Sequence, residues 1–192
     1  MPTPIGVPEP PLGEDVVDLM LACHVRIRHF LGVARAVGRG EAASEADLRD
    51  ACERTRRYFV EALPRHVADE NESVLPRLRG RSASLDAALA AMHLQHTDHA
   101  PVVDALVRLL DRVALDPASP ARRASVSRCA EALTVDLERH LAAEETHVFP
   151  AMRALLSDAE RTQILTELRA RRRQDGRVQV VTVPRRAPGE FG

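Results

Sequence analysis

A fourteen-residue pattern occurs twice in this chain and constrains the fold more than any other feature. Leu63-Pro-Arg-His66-Val-Ala-Asp-Glu70-Asn-Glu-Ser-Val-Leu-Pro76 and Leu137-Glu-Arg-His140-Leu-Ala-Ala-Glu144-Glu-Thr-His-Val-Phe-Pro150 are identical at seven of fourteen positions, at an offset of 74 residues. The shared pattern is L-x-R-H-x-A-x-E-x-x-x-V-x-P. In an α-helix, residues four apart stand one above the other on the same face. Each copy therefore projects an imidazole and a carboxylate together from within an apolar stripe. A helical histidine precedes each copy, His24 before the first and His96 before the second, 72 residues apart. The chain thus reads as two helical hairpins related by a pseudo-twofold. One helix pair cannot bury its apolar face alone, whereas two stacked pairs can.

The apolar spacing supports this division. Val17, Met20, Leu21, His24, Ile27, Leu31 and Ala34 recur at three- and four-residue steps, which predicts a first helix from about Glu14, ended by Gly38 and Gly40. Ser44 with Asp47 opens a second helix to about Leu78, in which Pro64 predicts a kink rather than a stop. Ser82 or Ser84 caps a third helix to about Val113, with Leu89, Met92, His96, His99, Val103, Leu106 and Leu110 on one stripe and Pro101 as a second kink site. Ser119-Pro120 starts a fourth helix to about Leu155. Ser157 with Glu160 opens a short fifth helix through about Arg172. The expected class is all-α: an antiparallel up-down four-helix bundle of two pseudo-repeated hairpins, plus a short C-terminal helix. The expected divisions are a flexible Pro-rich leader at 1–13, the bundle at 14–155, the short helix at 156–173 and a flexible tail at 174–192.

Composition removes several functions. All 27 basic residues are arginine, so chemistry that needs a lysine is excluded, and against 28 acidic residues the net charge is only −1. That balance lacks the basic footprint of a nucleic-acid binder. Cys23, Cys52 and Cys129 are odd in number and far apart, which argues against a disulfide framework or a zinc ribbon and fits a reducing compartment. The stretch MPTPIGVPEPPLGED has neither the basic nor the apolar region of a signal peptide, and no apolar run is long enough to span a membrane. The expected location is the cytoplasm.

The eight histidines are then the chemical signal. His24, His66, His96, His99 and His140 fall on inner stripes, with Glu70 and Glu144 at the same level. Two unpaired buried carboxylates would cost several kcal/mol each, and a cluster of cations resolves this. Seven nitrogen and oxygen ligands are too many for one tetrahedral zinc and suit two ions with the carboxylates bridging. Imidazole and carboxylate without thiolate favour iron, ahead of manganese or zinc.

These residues resemble the hemerythrin-like (HHE cation-binding) domain proteins of the free-standing bacterial kind. The resemblance rests on His24, the pair His66/Glu70, His96 with His99, and the pair His140/Glu144, and covers roughly residues 14–155. It implies a non-haem di-iron centre bridged by Glu70 and Glu144, with His96, His99 and His140 serving one iron and His24 and His66 the other. Two departures from the oxygen carriers stand in the sequence. His96 and His99 are three apart rather than four, and the last carboxylate is a Glu four residues after its His rather than an Asp five after. The departures match the wider HHE group, whose members respond to iron, oxygen or nitric oxide.

The remaining polar residues are expected to lie outside the centre. His29 and His93 fall off the stripes, Glu72 and Glu145 point outward, Tyr58 packs in the core, and Cys23 has no role. His147 shares a face with His140 at longer range. The arginines at 169–173 read as a solvated helix C-terminus. The leading functional expectation is a non-catalytic di-iron protein that binds O2, NO or peroxide for sensing, storage or iron buffering. An oxidase or peroxidase-like enzyme ranks behind it, because activating di-iron sites use E-x-x-H pairs and this chain has H-x-x-x-E. A bundle acting through a protein partner, with structural metal, is the third reading.

Overall fold

The computed structural model describes residues 15–175. The leader expected at 1–13 and the chain from residue 176 onward lie outside the described residues. All the regular structure among the described residues is helical, in five rods: α1 (Val16–Arg39), α2 (residues 45–78), α3 (Ala83–Leu115), α4 (residues 120–155) and α5 (Asp158–Asp175). The four long rods close a ring, with α1 against α4, α4 against α3, α3 against α2 and α2 against α1. The fifth runs to Asp175, slightly beyond its expected end, and packs on α1 and on the second half of α2. No helix among the described residues is long and apolar enough to cross a membrane.

Local chemistry sets the ends. The hydroxyls of Ser44, Ser82 and Ser119 accept from the backbone N–H groups of Asp47, Leu85 and Arg122, and so satisfy donors that no helical carbonyl can reach. At the start of α5, Ser157 and Glu160 close a reciprocal capping box at 2.7 and 3.3 Å. Gly40 ends α1 with φ of 73°, a conformation that costs a side chain but not glycine.

Prolines shape the interiors of α2 and α4. In place of a kink at Pro64, the helix widens by a π-helical turn at Tyr58–Ala62. The same device recurs at Asp69–Val74 before Pro76 and at Glu144–Val148 before Pro150. In each case the residue preceding the proline donates its N–H five residues back, from Leu63 to Tyr58, Leu75 to Glu70 and Phe149 to Glu144. A proline has no N–H and its ring collides with the carbonyl four residues earlier; the wider turn moves that carbonyl aside. Pro101 needs no such break, and α3 runs through it as an α-helix.

The core divides into two apolar layers. One contains Ile27, Leu31, Phe59, Leu106, Leu133 and Leu141. The other contains Val17, Met20, Leu78, Leu89, Met152 and Leu168. Along α1 the order is second layer, His24, first layer. Along α2 it is first layer, His66 and Glu70, second layer. The order flips again in α3 around His96 and once more in α4 around His140 and Glu144. The polar residues therefore occupy one level between two apolar ones. The fifth helix contributes Ile164 and Leu168 to the second layer and closes that end.

Gly38 does not end α1 as expected; it permits close packing. A Cβ there would lie 2.6 Å from the Ser127 backbone on α4, whereas a Cβ at Gly32 would meet nothing within 4 Å. Gly38→Ala is therefore expected to destabilise by about 1–3 kcal/mol through overpacking, while Gly32→Ala stabilises by about 0.5–1 kcal/mol through helix propensity. Chemical denaturation of the two variants checks the opposite signs.

Candidate metal centre

The level between the apolar layers holds four imidazoles and two carboxylates. His24 is 0% exposed, His66 3%, His140 3%, Glu70 2% and Glu144 1%, while His96 reaches 9%. They form two groups, His24–His66–Glu70–Glu144 and His96–His140–Glu70–Glu144, and the ligand atoms within each lie within 4.8 Å of one another. Each carboxylate serves both groups, one oxygen apiece. Glu70 Oε1 is 3.0 Å from His66 Nε2 and its Oε2 is 2.9 Å from His96 Nε2. Glu144 Oε2 is 2.9 Å from His24 Nε2 and its Oε1 is 2.7 Å from His140 Nε2.

These contacts are short but do not satisfy the atoms. All four carboxylate oxygens, and Nε2 of His24 and His66, are buried without an aligned hydrogen bond. Buried polar atoms without partners are rare and costly. Four imidazoles and two carboxylates converge here and leave most of their inner atoms unsatisfied, His96 Nε2 and His140 Nε2 alone standing within 3.2 Å of each other. That is a donor set that suits metal cations, so the residues present fit such a group.

The outer ring nitrogens fix the orientation. His24 Nδ1–H donates to Glu145 Oε1 at 2.8 Å, His140 Nδ1–H to Gln95 Oε1 at 2.8 Å, and His96 Nδ1–H to Asn71 Oδ1 at 3.2 Å. A proton held on Nδ1 leaves the Nε2 lone pair facing inward, as metal ligation requires. Glu145 is in turn anchored by Arg28 Nη1 at 2.8 Å, and Arg28 Nε reaches Glu138 at 3.0 Å. Partial burial works against the Glu145 charge, but the bonds from Arg28 and His24 outweigh it and hold the carboxyl below its ordinary range.

Six of the seven residues singled out in the sequence come together; His99 stands apart from both groups. Three residues along a helix turn the side chain about 60° away from that of His96. His99 is partly buried, its ring 5.4 Å from that of His140, and with His66, His96 and His140 it lines an apolar-walled cavity of about 340 Å3. Within the two groups the histidines divide two and two around the carboxylates. His147 and His93 are exposed. His29 is partly buried, against the ring of Phe30.

Three expectations are corrected. Glu145 turns inward to His24. The arginines of α5 are not simply solvated: Arg171 Nη1 and Arg172 Nη2 each lie 2.8 Å from the fully buried carboxylate of Asp69, beside Glu70. Cys23 is not bare either, since Arg26 and Arg172 approach its sulfur at 3.8 and 3.6 Å. The missed partners had one sequence signal. Asn71 and Glu145 occupy the same place in the two copies of the repeat, directly after each central glutamate.

The sequence matches the hemerythrin HHE cation binding domain over residues 15–152. The chain belongs to that family. The matched span takes in α1 to α4 almost to the end of α4, including both groups, and the paired His/Glu clusters fit a metal-binding protein. Among curated proteins, none matches the chain.

Loss of the anchor should be felt at the centre. Glu145→Ala is expected to weaken metal affinity about 10–100-fold with the fold retained, read by competition with a chelator. The metal-free protein should also lose stability in acid. Burial pushes His66 down to about 3 and His96 down to about 4, from 6.5 in the unfolded chain. Between those values the unfolded chain binds two protons that the folded chain refuses, so lowering the pH favours unfolding. Glu70, raised by burial and then by the Glu144 charge, acts oppositely but offsets only one proton. The Tm of metal-free protein should fall as the pH drops from about 6.5 to about 4; a flat or rising Tm by circular dichroism would contradict this.

Proposed function

We propose that the chain is a non-haem di-iron protein whose centre binds O2 or a related small ligand, NO or peroxide, for sensing, storage or iron buffering. The observation that carries this reading is the sharing of two buried carboxylates between two buried histidine pairs, beside a cavity of about 340 Å3. His24 and His66 would hold one ion, His96 and His140 the other, and Glu70 and Glu144 would serve both. His99 is placed at the cavity wall, within reach of a small ligand. Iron is favoured over manganese or zinc by a donor set of imidazole and carboxylate without thiolate.

Bound iron would supply reversible coordination of the small ligand and exchange of electrons with it. The protein's own residues prepare the place. Burial keeps His66 and His96 neutral and so able to ligate. Glu145, Asn71 and Gln95 hold three rings in the ligating tautomer. Leu63, Val103, Leu137 and Leu141 give the cavity an apolar wall, and His99 adds an imidazole to its lining.

The alternating order of the two apolar layers along successive helices supports an antiparallel up-down path, in which the chain reverses at each loop. The fifth helix closes one end. Three free, separated cysteines fit a reducing compartment, which places the protein in the cytoplasm in this reading. With a net charge of −1 it is not taken to bind nucleic acid, and any signal would pass to a separate protein partner.

Purified protein should contain iron approaching two ions per chain, and its visible absorption should change on exposure to O2. Iron well under one per chain, with no spectral change, would sink the proposal. Consumption of O2 or peroxide beyond stoichiometry would turn it toward an oxidase or peroxidase. His66→Ala should release metal, and chelation of the wild type should lower its Tm.

A further inference from the structure

Three of the four histidines of the centre find an outer oxygen acceptor at equivalent places in the two halves, and the fourth does not. His24 on α1 leans on Glu145, and His96 on α3 leans on Asn71, the equivalent position of the repeat. His140 leans on Gln95, the residue before His96. The corresponding partner for His66 is the residue before His24, which is Cys23. A thiol on one carbon is shorter than a glutamine amide and accepts weakly. His66 Nδ1 is accordingly buried with no partner, in a residue 3% exposed.

The missing amide is replaced by space. A cavity of about 190 Å3 is lined by Cys23, His66, Tyr58, Arg26, Arg65 and Arg172, with no carboxylate in its wall. Arg172 is paired with Asp69 at 2.8 Å, and Arg65 has Glu61 at 3.9 Å. Arg26 touches the Cys23 sulfur and forms no ion pair among the described residues. Tyr58, stacked on Phe30 with ring centroids 4.2 Å apart, makes no hydrogen bond through its hydroxyl among the described residues. The larger cavity also reaches His66, but its wall carries Asp104 and no arginine. An occupant of the smaller cavity must offer an acceptor oxygen to His66 and negative charge to the guanidiniums. At a liquid-water share of about 30 Å3 per molecule, the space admits an anion the size of nitrate or phosphate.

We propose that this cavity is a binding site for a small oxyanion, which accepts the His66 Nδ1–H and bonds Arg26 and Tyr58, and so completes the outer support of the centre. The site is built by protein side chains and stands whichever ion occupies the centre. It differs from direct anion coordination to metal, because its determinants lie behind His66 rather than between the carboxylates.

The test is calorimetric titration of the metal-loaded full-length chain with sodium nitrate and with sodium phosphate in chloride-free buffer. One saturable site per chain is expected for at least one of the two. Arg26→Gln should weaken it about tenfold or more, the scale of a charge-assisted hydrogen bond, and Tyr58→Phe by a smaller factor, both at unchanged metal content. If Arg26→Gln loses helical content, Tyr58→Phe carries the comparison. Absence of saturable binding of either anion overturns the proposal, as does affinity undiminished in the folded variants. Binding that survives both substitutions and alters the absorption of the metal also overturns it, and assigns the anion to the ions themselves. If the chain takes up no iron, the same titration is run on protein loaded with zinc or manganese, so the two proposals fail separately.

Discussion

Two glutamates buried between apolar layers set the terms for the rest of the molecule. Glu70 and Glu144 are almost completely excluded from solvent, and their charge has to be met inside the protein or not carried at all. Each of the four long helices answers with an imidazole at the same level. Each carboxylate then spreads its two oxygens over histidines from two different helices. The carboxylates lie in π-helical turns, which accommodate the prolines six residues later. The backbone irregularity and the polar cluster thus share one cause in the sequence: the E-x-x-x-V-x-P end of the repeat.

The same demand extends beyond the repeat. Asp69, next to Glu70, is fully buried, and burial raises its carboxyl even with Arg172 and Arg171 against it. Those two arginines come from α5, which lies outside the span that matches the family. They also reach Ser73, Glu72 and the sulfur of Cys23. The fifth helix is therefore an electrostatic part of the centre as well as an apolar lid on one layer. Without it, a second layer of buried charge behind Glu70 would have no counterion.

The pseudo-twofold organises the centre, and its breaks give the two sides different character. Inner donors and the first outer acceptors are matched between halves. The Gln95 side holds its histidine by an amide, whereas the Cys23 side faces a cavity walled by arginine. Arg28, which anchors Glu145, has Ala100 in the corresponding place, seventy-two residues later. A symmetric scaffold thus carries one neutral flank and one cationic flank.

Much of this was legible in the sequence, because helix periodicity and an i,i+4 spacing are local facts. The five helices, their serine caps and the six histidines and glutamates that meet at the centre follow from residue type and position alone. Gly38, Glu145, Cys23 and the arginines at 171 and 172 were misread from the sequence for a common reason. Each acts on a different helix from its own, and periodicity shows which face a residue takes but not what stands opposite it. His99 shows the same limit from the other direction, since it belongs to the apolar stripe yet is rotated away from where the lone pairs meet. The sequence determined that imidazoles and carboxylates would share one level of a helical bundle. Only the tertiary structure decided which atoms pair there, because short-range bonds depend on how the four helices are rotated against one another.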